Sequence, residues 1–321
     1  MCCIVSVQGF TPRLAPSGHR PVELRSPNGL LEATFVPGAG MLGWSLRHAG
    51  EELLGHPVSL ETYVVTGEPT GVPLLHPWAN RLASPEYEIA GRRVRLDRRA
   101  PNVHTDPHGL PIHGLVAGSP RWEVVEEGPS GLEARLAFAA WPELAAGFPF
   151  PHVLALAAGL SNERLEIGAQ LIPTSDSPVP VAFGFHPYLR LPGLERESWV
   201  VDLPVTSRML LDDRMLPTGE SEAARIPPGP LGNRVFDDAF DGLAGDPPEF
   251  VLMGAGRRVS VRFLEGYRFA QVYAPAGSDF IAFEPMTAPV NAFESERTLL
   301  AQPGSTYRAR FDIAVAGGEP G

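Results

Sequence analysis

The chain has 321 residues, 44% hydrophobic and 20% charged, enough to bury a large core and with no compositional sign of disorder. Its formal net charge of -11 leaves no basic field for nucleic acid or an anionic membrane surface, and points to a neutral or locally guided small molecule as partner. All 26 basic residues are arginine, so chemistries that need a lysine, such as a Schiff base, a pyridoxal phosphate anchor or a P-loop, are ruled out.

Cys2 and Cys3 are adjacent and supply neither a disulfide framework nor a cysteine zinc site. The first residues lack the charged start, apolar run and cleavage site of a signal peptide, and no apolar run reaches the ~18–20 residues of a membrane span. The expectation is a cytoplasmic protein in a reducing compartment.

Short alternating segments broken by Gly, Pro, Asn and Asp run the length of the chain, which holds 34 Gly and 35 Pro. They predict strands at Leu31–Val36, Trp44–Arg47, Tyr87–Ile89, Val94–Leu96, Trp122–Glu126 and Leu132–Phe138. A hairpin follows, His152–Leu160 and Leu165–Ile172, closed by a four-residue loop. Later strands are Val179–Phe185, Trp199–Leu203, Val259–Leu264, Phe269–Tyr273, Phe280–Phe283 and Tyr307–Ala314, with a helical turn at Ala288–Phe293 and a polar loop at Pro217–Asn233. With neither a repeat nor a domain boundary, the fold class is all-β: one large antiparallel β-sandwich spanning residues 1–321 as a single domain, its core at about 22–315.

Three motifs are decoys. Gly38–Gly43 matches the dinucleotide fingerprint, with Glu61 near the acidic position, but the segment that follows reads as a hairpin where the fingerprint needs a long helix. Asp237–Gly242 begins like a calcium loop, yet Ala239 and Pro248 stand where oxygen ligands belong. His104, His108 and His113 cluster beside Asp106, but Pro107 and Pro111 break the helix their spacing would need, so no metal is assigned. The arginine run Arg92–Arg99 reads as a solvated strand edge, with Val94 and Leu96 turned inward and Arg93 and Arg95 outward.

The stretch Val181–Leu191 carries more. At strand period Val181, Phe183 and Phe185 share a core face, while Ala182, Gly184, His186 and Tyr188 share the other, and Pro187 stops the ladder. The small residues leave room for a ligand that lies over Ala182 and Gly184 and touches His186. Phe280–Pro289 repeats the design, with Ile281 and Phe283 inward, Ala282 and Glu284 opposite, and proline next. Two such strands bring an imidazole and a carboxylate to one hollow, as proton transfer at a bound substrate requires.

These segments, with Ala79-Asn80-Arg81, Ile112-His113-Gly114 followed by Trp122, and Phe148-Pro149, resemble the aldose 1-epimerase (galactose mutarotase) family and its hexose-phosphate relatives. The matched motifs occur in the family's order from about Leu31 to Ile313. The resemblance implies a large β-supersandwich and an isomerase that opens and recloses an aldose ring. It implies Glu284 as general base on the anomeric hydroxyl, His186 as general acid on the ring oxygen, and His113 as a hydrogen-bonding aid. Arg81, Asn80 and Asp237 would bind the sugar, with the adjacent Asp238 as the alternative to Asp237. Both transferred protons move between oxygens, so neither metal nor cofactor is called for. The chain departs from the pattern at His76-Pro-Trp78, at Leu189 and at Pro111-Ile112, which leaves the sugar open. A hexose 6-phosphate held by Arg92–Arg99, and a carbohydrate-binding module without turnover, are the alternatives.

Overall fold

The computed structural model describes residues 19–317. Two large antiparallel sheets carry the fold. One runs through nine strands in the order Gly229–Pro230, Val200–Asp202, Glu249–Gly254, Arg257–Glu265, Tyr307–Gly317, Arg164–Pro173, His152–Leu160, Gly131–Ala137, Glu123–Glu127. The other has eight, in the order Pro217–Ala223, Val205–Leu211, Phe236–Leu243, Phe269–Ala274, Ile281–Met286, Gly184–Phe185, Leu74–Leu75, with Tyr188–Leu189 also paired to Ile281–Met286. A four-stranded sheet, Val22–Arg25 to Glu51–Glu52, precedes them.

The core lies between the two large sheets because each contributes alternate apolar side chains. Arg164–Pro173 buries Leu165, Ile167, Ala169 and Leu171 and leaves Arg164 and Glu166 in water. Opposite it, Phe185 meets Phe311 with ring centroids 5.0 Å apart, and Phe283 meets Phe250 at 5.6 Å. Each buried Phe contributes on the order of 1.5–3 kcal/mol, and each fixes its strand so that the next residue faces away from the core. Glu284 and His186 are those next residues.

The strand Leu31–Val36 is present, as is the predicted hairpin, whose second strand, expected at Leu165–Ile172, runs one residue further at each end, Arg164–Pro173. Six strands of the large sheets lie where the sequence predicts none: Leu74–Leu75, Val205–Leu211, Pro217–Ala223, Gly229–Pro230, Phe236–Leu243 and Glu249–Gly254. Pro217–Ala223, expected within a polar loop, is the exposed edge strand of the eight-stranded sheet, where polar residues are tolerated on both faces. Ala288–Phe293 forms only the single turn Ala292–Glu294. The fingerprint Gly38–Gly43 leads into the strand Leu42–His48 and its hairpin with Glu51–Glu52, as read. Glu61 sits in the short helix Leu60–Thr66, capped by the Ser59 hydroxyl and ended by Gly67 at φ 69. No helix among the described residues is long and apolar enough to cross a membrane.

Val181–Leu191 is three short pieces. Val179–Val181 pairs with Leu299–Ala301, Gly184–Phe185 with Leu74–Leu75 and Met286, and Tyr188–Leu189 with Ile281 and Ala282. The core face is as expected, but Ala182 and Gly184 are covered. Ala182 bridges Trp78, and a Cβ added to Gly184 would stand 2.7 Å from the Pro285 carbonyl oxygen and 2.9 Å from Ala79 Cβ. Close backbone approach, not a sugar floor, is what the glycine serves.

Candidate active site

Three pairs of the sheet register collect the site on one face. Gln271 lies directly opposite Glu284, Tyr273 opposite Ala282, and Asp237 opposite Tyr273. Residues opposite one another in an antiparallel pair share a face, so Glu284, Gln271, Tyr273 and Asp237 stand together. Tyr188 joins them through its pairing with Ala282.

His186 and Glu284 meet: Nε2 is 3.2 Å from Oε1, with the residues 4% and 1% exposed. Glu284 Oε2 and His186 Nδ1 are buried without a partner in the protein. Burial, then the neighbouring Asp237 charge, pushes the Glu284 carboxyl well above the usual range, against the pull of Arg81. Burial, then His113, pushes His186 well below the usual imidazole value. Both shifts favour neutral forms, so the pair carries one proton between them across the neutral range.

Aromatic rings fix the imidazole. Tyr188 stacks on it at 4.3 Å with planes 9° apart, while His113 and Tyr273 meet it edge-on at 5.8 Å. The Tyr188 hydroxyl is 3.4 Å from Nε2, but with the rings parallel it approaches from above the imidazole plane, away from the lone pair. Nε2 thus remains free in its own plane for Glu284 or a substrate oxygen.

His113 arrives on a strained turn. Its φ is 64 and that of Gly114 is 75, and a Cβ on Gly114 would lie 2.1 Å from the His76 carbonyl oxygen. Only glycine fits there. The His113 Nδ1–H donates to the Ala79 carbonyl at 2.9 Å, and burial lowers its pKa to about 4. His113 is therefore neutral, with Nε2 bare and able to accept a hydroxyl proton.

Arg81 is 14% exposed at its side chain and donates from Nε to Asp106 at 2.8 Å. Burial opposes the charge of Asp106, but hydrogen bonds from the Leu110 amide, Arg81 and the His108 amide hold its carboxyl below the usual range. Asn80 Oδ1 accepts from the Arg81 amide at 2.8 Å and from Nη1 at 3.2 Å, so Asn80 braces Arg81. Asp237 Oδ1 accepts from Gln271 Nε2 at 2.6 Å, and burial raises its pKa. Asp238 points to the opposite face and pairs with Arg208 at 2.9 Å. Of the two candidate aspartates, Asp237 is the one at the site.

All six residues singled out from the sequence fall in this one region. Gln271, Tyr273 and the bracing role of Asp106 carry no signal in the sequence, where Asp106 stands out only beside the histidine cluster. The arginine run lies apart on the ribbon Glu86–Ile89 and Arg92–Arg95, where Arg93 pairs with Glu88 and Arg95 with Glu86, all four side chains largely in water.

The family model described as Aldose 1-epimerase matches residues 22–314. The uncharacterized protein YihR of Escherichia coli K12 is 27% identical over 267 residues, covering 78% of this chain and 82% of that protein. A galactose mutarotase-like protein from Clostridium acetobutylicum superposes with a TM-score of 0.81 at 17% identity, over 96% of this chain and 98% of its own. A putative aldose 1-epimerase from E. coli K12 gives 0.75 at 17%, over 94% and 100%, and galactose 1-epimerase from Lactobacillus acidophilus gives 0.68 at 15%, over 90% and 92%. At such identities these structures establish a shared fold.

Proposed function

We propose, on the premise that this chain belongs to the aldose 1-epimerase family, that it interconverts the α and β anomers of an aldohexose by acid-base ring opening and reclosure. The observation that carries the reading is the buried contact between His186 and Glu284 at 3.2 Å. The anomeric hydroxyl and the ring oxygen are bonded to the same carbon, so an acid and a base that serve both must themselves be neighbours.

In the opening step, with the proton shared by the pair resting on His186 Nε2, the Glu284 carboxylate takes the proton of the anomeric hydroxyl, and the C1–O1 bond becomes a carbonyl. The bond from C1 to the ring oxygen breaks, and that oxygen takes a proton from His186 Nε2. Glu284 is then a neutral acid and His186 a neutral imidazole, the forms that burial favours. After rotation about C1–C2, His186 removes the proton from the hydroxyl, its oxygen attacks the other carbonyl face, and Glu284 returns its proton to the new anomeric oxygen. No proton leaves the pair for solvent, and no metal or cofactor is required by the balance. Arg81, braced by Asn80 and Asp106, and Asp237, braced by Gln271, hold hydroxyls remote from C1. His113 accepts a further hydroxyl proton through Nε2.

Polarimetry on freshly dissolved α-D-glucose and α-D-galactose, against buffer alone, tests the reading. Accelerated decay of the rotation is expected with at least one aldose. No acceleration with any aldose at any enzyme level would remove it. Comparing glucose with glucose 6-phosphate in the same assay decides the sugar-phosphate alternative, which the glutamate partners of Arg93 and Arg95 disfavour.

A further inference from the structure

We infer that Asn291 is a positioning residue that holds Arg81 in register with Glu284, an inference that rests on the proposed epimerase activity. The chain leaving Glu284 ties the three site-bearing segments together. Thr287 donates twice to the Phe183 carbonyl, from its amide at 3.0 Å and its hydroxyl at 2.9 Å, three residues before His186. Four residues later the Asn291 amide donates to the Arg81 carbonyl at 2.9 Å, and Asn291 Oδ1 accepts from the Ala83 amide at 3.0 Å.

The two Asn291 bonds straddle Leu82 and act as a two-bond bridge made half by backbone and half by side chain. They are possible only because Asn291 sits at φ 55, a left-handed conformation that asparagine tolerates better than most residues with a Cβ. Its side-chain Nδ2 donates to Glu294 Oε2 at 2.8 Å, which turns Oδ1 toward Ala83. The other side of the Arg81 segment is held by the His113 strand, through Leu82 N to the Pro111 carbonyl at 2.9 Å and the bridge between Arg81 and Ile112. Arg81 is thus gripped between the segment that delivers His113 and the one that delivers Glu284. Asp106 and Asn80 aim the guanidinium, whereas Asn291 fixes the backbone from which it is aimed. An asparagine that merely shaped a surface turn would need neither bond to residues more than two hundred positions away.

The experiment is a cycle of Asn291→Gly and Arg81→Gln, read as KM and kcat for whichever aldose the wild-type enzyme turns over, with thermal melts to verify folding. Glycine keeps the backbone conformation and the bond to Arg81 but deletes the acceptor for Ala83. Asn291→Gly is expected to raise KM ~10-fold with kcat changed less than ~3-fold, and to add less than ~2-fold in the Arg81→Gln background, because its effect runs through Arg81. Asn291→Asp combined with Glu294→Gln retains the acceptor oxygen for Ala83, lets the new amide at position 294 donate back to residue 291, and is expected to keep KM within ~3-fold of wild type. Full additivity of the two substitutions, an unchanged KM in a folded Asn291→Gly enzyme, or equal damage from Asn291→Gly and from the Asn291→Asp, Glu294→Gln pair would each overturn the inference while leaving the epimerase reading intact. A wild-type enzyme inactive on every aldose would remove that reading, and this inference with it.

Discussion

Replacing Glu284 by glutamine separates catalysis from stability, because the structure gives the two opposite signs. The amide is isosteric, so the contact with His186 Nε2 at 3.2 Å and the packing of a 1% exposed side chain are retained. What is lost is the carboxylate proposed as the base. General acid-base catalysis contributes ~10²–10⁴-fold, so the rate of mutarotation is expected to fall at least ~100-fold, or ~2.7 kcal/mol of barrier. Stability moves the other way. Burial, followed by the Asp237 charge, raises the folded-state pKa of Glu284 above its unfolded value. Its contribution is then fully present below the unfolded carboxyl pKa and is lost as pH rises toward the folded one. At neutral pH the glutamate therefore costs stability that glutamine does not, and the Glu284→Gln enzyme should melt at or above the wild-type temperature, with a larger gain at pH 8 than at pH 5. Polarimetry and a thermal melt on the same preparation read both. A near-normal rate would take Glu284 out of the chemistry, and a lower melting temperature would show that its charge supports the fold.

The remaining predictions use other parts of the molecule. Since His186 is held well below and Glu284 well above their usual values, kcat/KM should show no limb at the ~6.5 of an unperturbed histidine; a limb centred there would contradict the one-proton pair. Gly114→Ala should destabilise the fold by well over the ~1–3 kcal/mol of backbone strain alone, since its Cβ would meet the His76 carbonyl, whereas Gly91→Ala, at φ 71 with nothing within 4 Å, should show strain only; equal shifts in melting temperature would refute the clash. His152 donates through Nδ1 to the Phe150 carbonyl at 2.6 Å and so accepts through Nε2 from His76 at 2.9 Å. Burial lowers the pKa of His152 to about 4, and burial, then the neighbouring His152, holds His76 well below the usual imidazole value. Above ~6.5 neither state protonates them, and as pH falls from there toward 4 the unfolded chain alone gains protons, removing about 3 kcal/mol for His152. His152→Gln should flatten that acid limb of the melting curve, and an unchanged limb would assign it elsewhere.

What the sequence made legible is what strand period alone controls. Phe183, Phe185, Ile281 and Phe283 are large and apolar against small or ionisable neighbours, so the inward face was readable and with it the outward aim of His186 and Glu284. Gln271 and Tyr273 escaped because Phe269–Ala274 is buried on both faces, and its alternation shows no contrast between core and site. Gln271 becomes significant only when it is known to lie opposite Glu284, a pairing set by register between strands and invisible to local spacing. The break of Val181–Leu191 into three pieces has the same origin, since each piece answers to a different partner strand. His113 at φ 64 and Asn291 at φ 55 lie further still from any local signal. Each is a side-chain-bearing residue in a glycine-favouring conformation, tolerated because long-range hydrogen bonds hold it there, to Ala79 in one case and to Arg81 and Ala83 in the other. Ladder periodicity thus aims His186 and Glu284, while the residues that hold the rest of the site in place are found where the chain departs from it.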